Sequence, residues 1–255
     1  MSKLWVFGDS FSVVHTDDPS PDQWHVSLAA KLGYELKDCS LWGACQDWVF
    51  AYIESVQENI SPEDQVIIAL PDPARFWFFD DHPSITSVHV LNYDKIINDS
   101  SRVKAVEGYI RYIQRPHLDT HFITLRLGYL NNIATVKKWK PPIVILAGEM
   151  SLPPVDNFNR LIISEGSLRG IDSIETLPPF VLTGDDVRYN HLSLRNHYVL
   201  TDKLLDIITK KENSLNLLEG FHSRFITKDN FTNKEFIDKE FSPGLYNRNK
   251  KIYAK

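Results

Sequence analysis

Three short segments of this chain are almost uninterrupted runs of apolar residues, and residues that favour turns follow each of them. Such runs are typical of parallel strands that are buried on both faces of a sheet. They span residues 4–7 (LWVF), 65–70 (QVIIAL) and 143–147 (IVILA), and a weaker fourth strand is predicted over 35–39. This feature restricts the possible folds, because parallel strands need long crossover connections, which are usually helices.

Helical patterns lie between and after these strands. Apolar side chains recur with the period of an amphipathic helix over residues 22–32, 47–56, 119–139 and 192–208. Alternating strands and helices predict an α/β fold, with a central parallel sheet covered by helices on both faces. The sequence therefore predicts a three-layer sandwich.

Parts of the chain do not follow this pattern. Residues 80–115 and 150–182 are rich in Pro, Asp, Ser and Asn, and we expect them to be surface insertions in an α/β domain that spans 1–209. The pattern is lost over residues 210–255, which we predict to be a C-terminal extension or arm. Its last ten residues, 246–255, carry four basic side chains and no acidic one. This extension is a candidate for packing on the core or on a protein partner.

Charge and composition exclude several functions. A net charge of −5 over 255 residues argues against binding nucleic acid, which needs concentrated Lys and Arg. The two cysteines, Cys39 and Cys45, are too few for a disulfide framework. No apolar run approaches the ~20 residues of a membrane span. The N-terminal apolar run stops at Gly8, so we expect no signal peptide and a cytoplasmic location.

The residues just past the predicted strands are candidates for chemistry, because sites in open α/β sheets form at the carboxyl ends of the strands. Ser10 follows the first strand and Gly43 follows the second, while Asp185, Asp186 and His191 precede the last helix. This set predicts nucleophilic catalysis, with Ser10 as nucleophile, His191 as its base and an aspartate that orients the imidazole. The backbone N–H groups of Ser10 and Gly43 are the expected donors to an oxyanion.

Three motifs in this order resemble the SGNH, or GDSL, hydrolases. They are Gly8-Asp9-Ser10-Phe11-Ser12, the stretch QWHVSLAAKLGYELKDCSLWGAC at residues 23–45, and NHLSLRNHYVL at residues 190–200. The resemblance implies a flavodoxin-like sheet and hydrolysis of esters or thioesters, including acylated sugars and lipids. It implies a covalent acyl-enzyme and no metal or other cofactor. The Pro71-to-Phe76 stretch resembles SGNH-like chains of bacteriophages, for which the virion would be a second location.

Two departures from the family pattern concern the site. The third block of the family supplies an Asn to the oxyanion hole, whereas this chain reads LPDPAR over residues 70–75. An anionic Asp72 would oppose an oxyanion, so we expect Arg75 to be the further donor. The family places an Asp three residues before the catalytic His, but here that position is Arg188. We therefore expect Asp186 to orient His191.

Other interpretations remain open at this stage. Ser10 could be the N-cap of the first helix, Gly43 a simple turn residue and His191 a loop residue bonded to a backbone carbonyl. We expect a serine esterase or acyl-hydrolase that cleaves a carboxylic ester of a lipid or an acylated carbohydrate. The alternatives are an SGNH-like structural or interaction protein with weak or no activity, and a carbohydrate-binding or transferase variant of the fold.

Overall fold

The computed structural model describes residues 1–13, 23–73, 75, 104, 108, 118–148, 152, 158–168, 171, 192 and 194–221. A six-stranded sheet lies at the centre of these residues, and every neighbouring pair of strands is parallel. The strands are β1 (Lys3–Gly8), β2 (Glu35–Ser40), β3 (Gln65–Leu70), β4 (Ile143–Ala147), β5 (Leu161–Glu165) and β6 (Leu215–Asn216).

The strand order in the sheet is β2-β1-β3-β4-β5-β6. The first five strands have the order of flavodoxin-like folds, which confirms the predicted fold class. The chain passes from β1 outward to β2 and then crosses to β3 on the other side of β1, so the order reverses between β1 and β3. In such sheets the crevice at the carboxyl ends of the strands at this switch point is the usual binding site. Residues Gly8 and Leu70 end the two strands that flank it.

Four helices cover the sheet in the described part of the chain: α1 (Trp24–Leu32), α2 (Gln46–Val56), α3 (Leu118–Val136) and α4 (Leu194–Lys210). Helices α1 and α4 pack on one face, where Leu28 and Leu204 join a core that includes Val6. Helices α2 and α3 pack on the other face, where Ile53 and Leu127 surround a core that includes Phe7. Alternate residues of β1 thus point into separate cores, as expected for a strand buried on both faces.

All four predicted strands and all four predicted helices are confirmed, with ends that shift by a few residues. The largest shift is at the end of the third helix, which ends at Val136 rather than at residue 139. Lys138 takes a left-handed conformation there (φ 55°), which stops the helix.

The structure differs from our expectation in two places. We expected residues 150–182 to be a surface insertion, but 161–165 form β5, in which Ile162 and Ser164 are buried. We placed the end of the α/β domain at residue 209, but β6 pairs with β5 beyond it. Apart from residues 104, 108, 152, 158–160, 166–168 and 171, the rest of both predicted insertions lies outside the described residues, as do residues 222–255.

None of the described helices is both long enough and apolar enough to cross a membrane.

Candidate active site

The turn after β1 presents a single side chain to solvent. Residues 4–9 and 11–13 are buried, and Ser10 between them is half-buried. Asp9 builds the turn: its carbonyl accepts hydrogen bonds from the N–H groups of Ser12 (3.0 Å) and Val13 (3.1 Å). Its Oδ1 accepts from the N–H of Phe11 (3.1 Å), as in an Asx turn. The sequence therefore folds so that Ser10 is held in place by its neighbours and remains accessible.

Ser10 does not cap the first helix. Helix α1 begins at Trp24, and its N-cap residue is Gln23. The interpretation of Ser10 as the N-cap of that helix is therefore wrong.

Gly8 allows this turn to sit close to the neighbouring strand. A Cβ atom at Gly8 would lie 2.7 Å from the carbonyl oxygen of Ala69 in β3 and 2.4 Å from Oγ of Ser12. Contacts this short do not occur for real side chains, so position 8 has no space for one. The glycine before Asp9-Ser10 is thus required by packing at the switch point.

The turn after β2 is bound to the turn that carries Ser10. Gly8 pairs with Ser40 at the end of the ladder, and the N–H of Leu41 donates to the carbonyl of Gly8 (3.1 Å). The chain then reverses, because the N–H of Ala44 donates to the carbonyl of Leu41 (3.0 Å). Gly43 is the third residue of this β-turn and has φ 67°, a conformation that favours glycine.

An ion pair connects the ends of three strands. Arg75, which follows β3, places Nη1 at 2.6 Å from Oδ2 of Asp9 and at 3.1 Å from the carbonyl oxygen of Ala44. The side chain of Asp9 is 1% exposed and that of Arg75 is 13% exposed, so the two charges are paired away from water. The backbone also turns here, because the N–H of Arg75 donates to the carbonyl of Asp72 (3.1 Å).

A second arginine supports the start of α2. The buried Gln46 donates from Nε2 to the carbonyl of Pro71 (2.9 Å) and accepts at Oε1 from Nη1 of Arg126 (2.6 Å). Arg126 also pairs with Asp47. The turn that contains Gly43 is therefore held on one side by the bond of Leu41 to Gly8 and on the other by the bonds of Gln46.

Both cysteines near this edge are poor nucleophiles. Burial raises the pKa of the Cys39 thiol to about 11, in spite of a hydrogen bond with Tyr52 that lowers it. Burial also raises the pKa of the Cys45 thiol. Because the thiolate is the reactive form, neither thiol competes with a serine at neutral pH.

The start of α4 lies close to the turn that carries Ser10. Nε1 of Trp24 donates to the carbonyl of Phe11 (2.9 Å), and the N–H of Trp24 donates to Nδ1 of His197 in α4 (3.3 Å). Leu192 is 1% exposed and belongs to the same apolar cluster as Phe11 and Trp24. His197 is thus buried and hydrogen-bonded inside the fold.

Three of the predicted site residues therefore meet at the carboxyl edge of the sheet: Ser10 after β1, Gly43 after β2 and Arg75 after β3. Asp186 and His191 lie outside the described residues. Asp9, Gln46 and Arg126 also contribute to this edge and were not predicted from the sequence. The position of Asp9 directly before Ser10 was the available signal in the sequence for its role. Its ion pair with Arg75 spans 66 positions of sequence and leaves no local pattern.

Comparisons with known proteins find similarity only among solved structures. No protein-family model matches the sequence, and no curated protein matches it. Among solved structures, the chain is similar to one described as "Crystal Structure of TesA", with a TM-score of 0.44 and 15% identity. The similarity covers 82% of this chain and 99% of that chain. The fold class of this protein rests on its own strand order, and its function has to be inferred from the residues at the carboxyl edge.

Proposed function

We propose that this protein is a serine hydrolase of the SGNH type that cleaves carboxylic esters through an acyl-enzyme on Ser10. The observation that carries the proposal is the position of Ser10. It is the accessible residue in an otherwise buried turn, and it lies at the switch point of a flavodoxin-like sheet. The surrounding turn is anchored by Asp9, Gly8 and Arg75, which would hold the Ser10 hydroxyl in a fixed position.

The proximity of α4 supports His191 as the base. Leu192 directly follows His191 and is buried in the cluster that contains Phe11, the residue after Ser10. Trp24 donates from Nε1 to the carbonyl of Phe11 and from its backbone N–H to Nδ1 of His197, so one residue connects the turn and the helix. These contacts favour a location for His191 near the carboxyl edge, where Asp186 would orient its imidazole.

In the proposed reaction, Oγ of Ser10 attacks the ester carbonyl and its proton passes to His191. The tetrahedral intermediate then breaks its bond to the leaving alcohol, which takes the proton from His191. Water attacks the resulting acyl-Ser10 ester by the same route and releases the carboxylic acid. The N–H groups of Ser10 and Gly43 are the donors that we propose for the oxyanion, because their two turns are bound together at Gly8 and Leu41.

The substrate class follows from the resemblance of the motifs. We propose a small ester of a lipid or of an acylated carbohydrate, bound without a metal or other cofactor. The carboxyl edge between β1 and β3 is where such a ligand would approach Ser10.

Labelling with a fluorophosphonate probe tests this proposal. The Ser10 oxygen would bond to phosphorus and displace fluoride, so a folded wild-type protein is expected to be labelled and Ser10→Ala is not. His191→Ala should be labelled at least about 10²-fold more slowly, because the general base is lost. Ser12→Ala is the matched control, since Ser12 is buried in the same turn and should not be the labelled residue.

A second function is favoured by one observation. The loop after β3 has no Asn at the family's third block, and Arg75 Nη1 is bonded to Asp9 and Ala44. An SGNH-like interaction protein needs no oxyanion hole and would tolerate the absence of the Asn. A hydrolase would have to stabilise the oxyanion with the backbone N–H groups of Ser10 and Gly43 alone. A folded wild-type protein that is not labelled would favour the interaction protein.

A further inference from the structure

Arg75 contacts both segments that carry the proposed oxyanion donors. One of its nitrogen atoms, Nη1, bonds to Oδ2 of Asp9 and to the carbonyl of Ala44. Asp9 directly precedes Ser10, and Ala44 directly follows Gly43. A single guanidinium therefore joins the residue next to one donor to the residue next to the other.

The geometry of these contacts is restricted. The hydrogen bond between an ionised donor and an ionised acceptor is among the strongest in proteins, and a planar guanidinium holds its partners in fixed directions. The Asp9 side chain is almost fully buried. Its Oδ2 bonds to Arg75 and its Oδ1 accepts from the N–H of Phe11, the residue after Ser10, so both carboxylate oxygens are held. Beside the hydrogen bond from Leu41 to Gly8, the contacts of Arg75 are thus a second connection between the turns after β1 and β2.

We propose that Arg75 is a positioning residue, which acts through Asp9 and Ala44 to set the distance between the N–H groups of Ser10 and Gly43. This role replaces the expectation that Arg75 donates directly to the oxyanion. It rests on the proposed function, since the two donors matter only if Ser10 forms a tetrahedral intermediate. Oxyanion donors must lie within a few tenths of an ångström of their optimum, and a misplacement of 1 Å can reduce a rate by about 10²-fold.

A double-mutant cycle on the full chain tests this role. The variants are Asp9→Asn, Arg75→Met and the combination of both, and the measured quantity is the second-order rate constant for fluorophosphonate labelling of Ser10, well below each unfolding temperature. Each single variant is expected to be labelled about 10²-fold more slowly than the wild type. Because both substitutions remove the same connection, the double variant should be labelled no more slowly than the slower single variant. Arg160→Met is the matched control, since Arg160 also bonds to a backbone carbonyl but lies before β5, at the opposite edge of the sheet.

If Arg75→Met does not fold, a second variant is measured in its place. Arg75→Lys keeps the charge, but its ammonium group has a shorter reach and cannot occupy the place of Nη1 between both partners. With p-nitrophenyl butyrate as the probe substrate, we expect a lower kcat at an unchanged KM, because the donors act on the transition state.

The possible results separate the two proposals. If wild-type Ser10 is not labelled, the proposed function fails and this role fails with it. If wild-type Ser10 is labelled and either Arg75 variant reacts at the wild-type rate, only the positioning role is overturned. Effects of Asp9→Asn and Arg75→Met that multiply in the double variant would also overturn it, because they would show that Arg75 acts independently of Asp9.

Discussion

Single residues at the carboxyl edge are adapted to very close packing between strand ends. Gly148, which follows β4, donates its N–H to the carbonyl of Leu70 at the end of β3 (3.0 Å). A Cβ atom at Gly148 would lie 2.2 Å from that same carbonyl oxygen. Since the obstacle is backbone, no side-chain rotation can relieve the contact, and the strands would have to separate.

We therefore expect Gly148→Ala to lower the free energy of unfolding by about 1–3 kcal/mol, the usual cost of overpacking. Gly128→Ala is the matched control: its Cβ would lie 3.7 Å from the ring of Phe158, an ordinary contact, inside helix α3. Because alanine is the better helix former, this variant should gain about 0.5–1 kcal/mol. Urea unfolding of the two variants measures the difference, and equal stabilities would contradict the packing described here.

The sequence predicted part of the site at the scale of residues. Ser10 and Gly43 could be located because each follows a predicted strand, and parallel strands end at the same edge of the sheet. The partners of Arg75 could not be predicted, because its ion pair with Asp9 depends on the relative placement of β1 and β3. A direct role for Arg75 at the oxyanion was therefore the simpler expectation from the sequence, and only the contacts in the fold suggest otherwise.

At the scale of elements, α1 connects the turn of Ser10 to helix α4. Its first residue, Trp24, is fully buried and bonds through Nε1 to Phe11. The carbonyl of Trp24 accepts from Oγ1 of Thr201, and Lys31 pairs with Asp202 at the surface. The buried contacts hold the start of α4 near the turn of Ser10, whereas the exposed ion pair contributes little.

The strands show why some elements are visible in a sequence and others are not. β1, β3 and β4 are nearly continuous apolar runs and were predicted as buried strands, and β2, a weaker pattern with mixed polar residues, was also predicted. β5 alternates between buried and half-buried residues and contains Ser164, whose Oγ accepts from the N–H of Ala147 (3.0 Å). β6 has only two residues, too few to show a period. Both lie in segments whose composition is typical of loops.

Strand β6 yields a prediction about the boundary of the folded unit. Leu215 and Leu217 are 3% and 2% exposed, and the N–H of Leu217 donates to the carbonyl of Glu165 (2.8 Å). Truncation after Lys210 should therefore cost about 3–6 kcal/mol, the value of burying two leucine side chains. Truncation after Phe221 should keep the part of the stability that β6 contributes, because it leaves β6 in place. Unfolding curves of the two truncated chains test this, and equal losses in both would place the boundary elsewhere.

At the scale of the whole molecule, the parallel sheet explains how distant parts of the sequence reach one edge. β1, β2 and β3 deliver Ser10, Gly43 and Arg75 to the switch point, and the contacts of Trp24 bring α4 toward it. The fold class was predictable because alternating strands and helices allow few architectures. The contacts at the carboxyl edge were not predictable, because they arise between loops that are far apart in sequence.

The acyl-enzyme itself tests the central claim most directly. The wild-type protein would be mixed with p-nitrophenyl butyrate, quenched rapidly in acid and digested, and the peptides analysed by mass spectrometry. We expect a butyryl group on the peptide that contains Ser10, with the modified oxygen mapped to Ser10 itself. Ser10→Ala should show neither this adduct nor hydrolysis above background. An adduct on another residue, or hydrolysis that persists in Ser10→Ala, would contradict the assignment of Ser10 as the nucleophile.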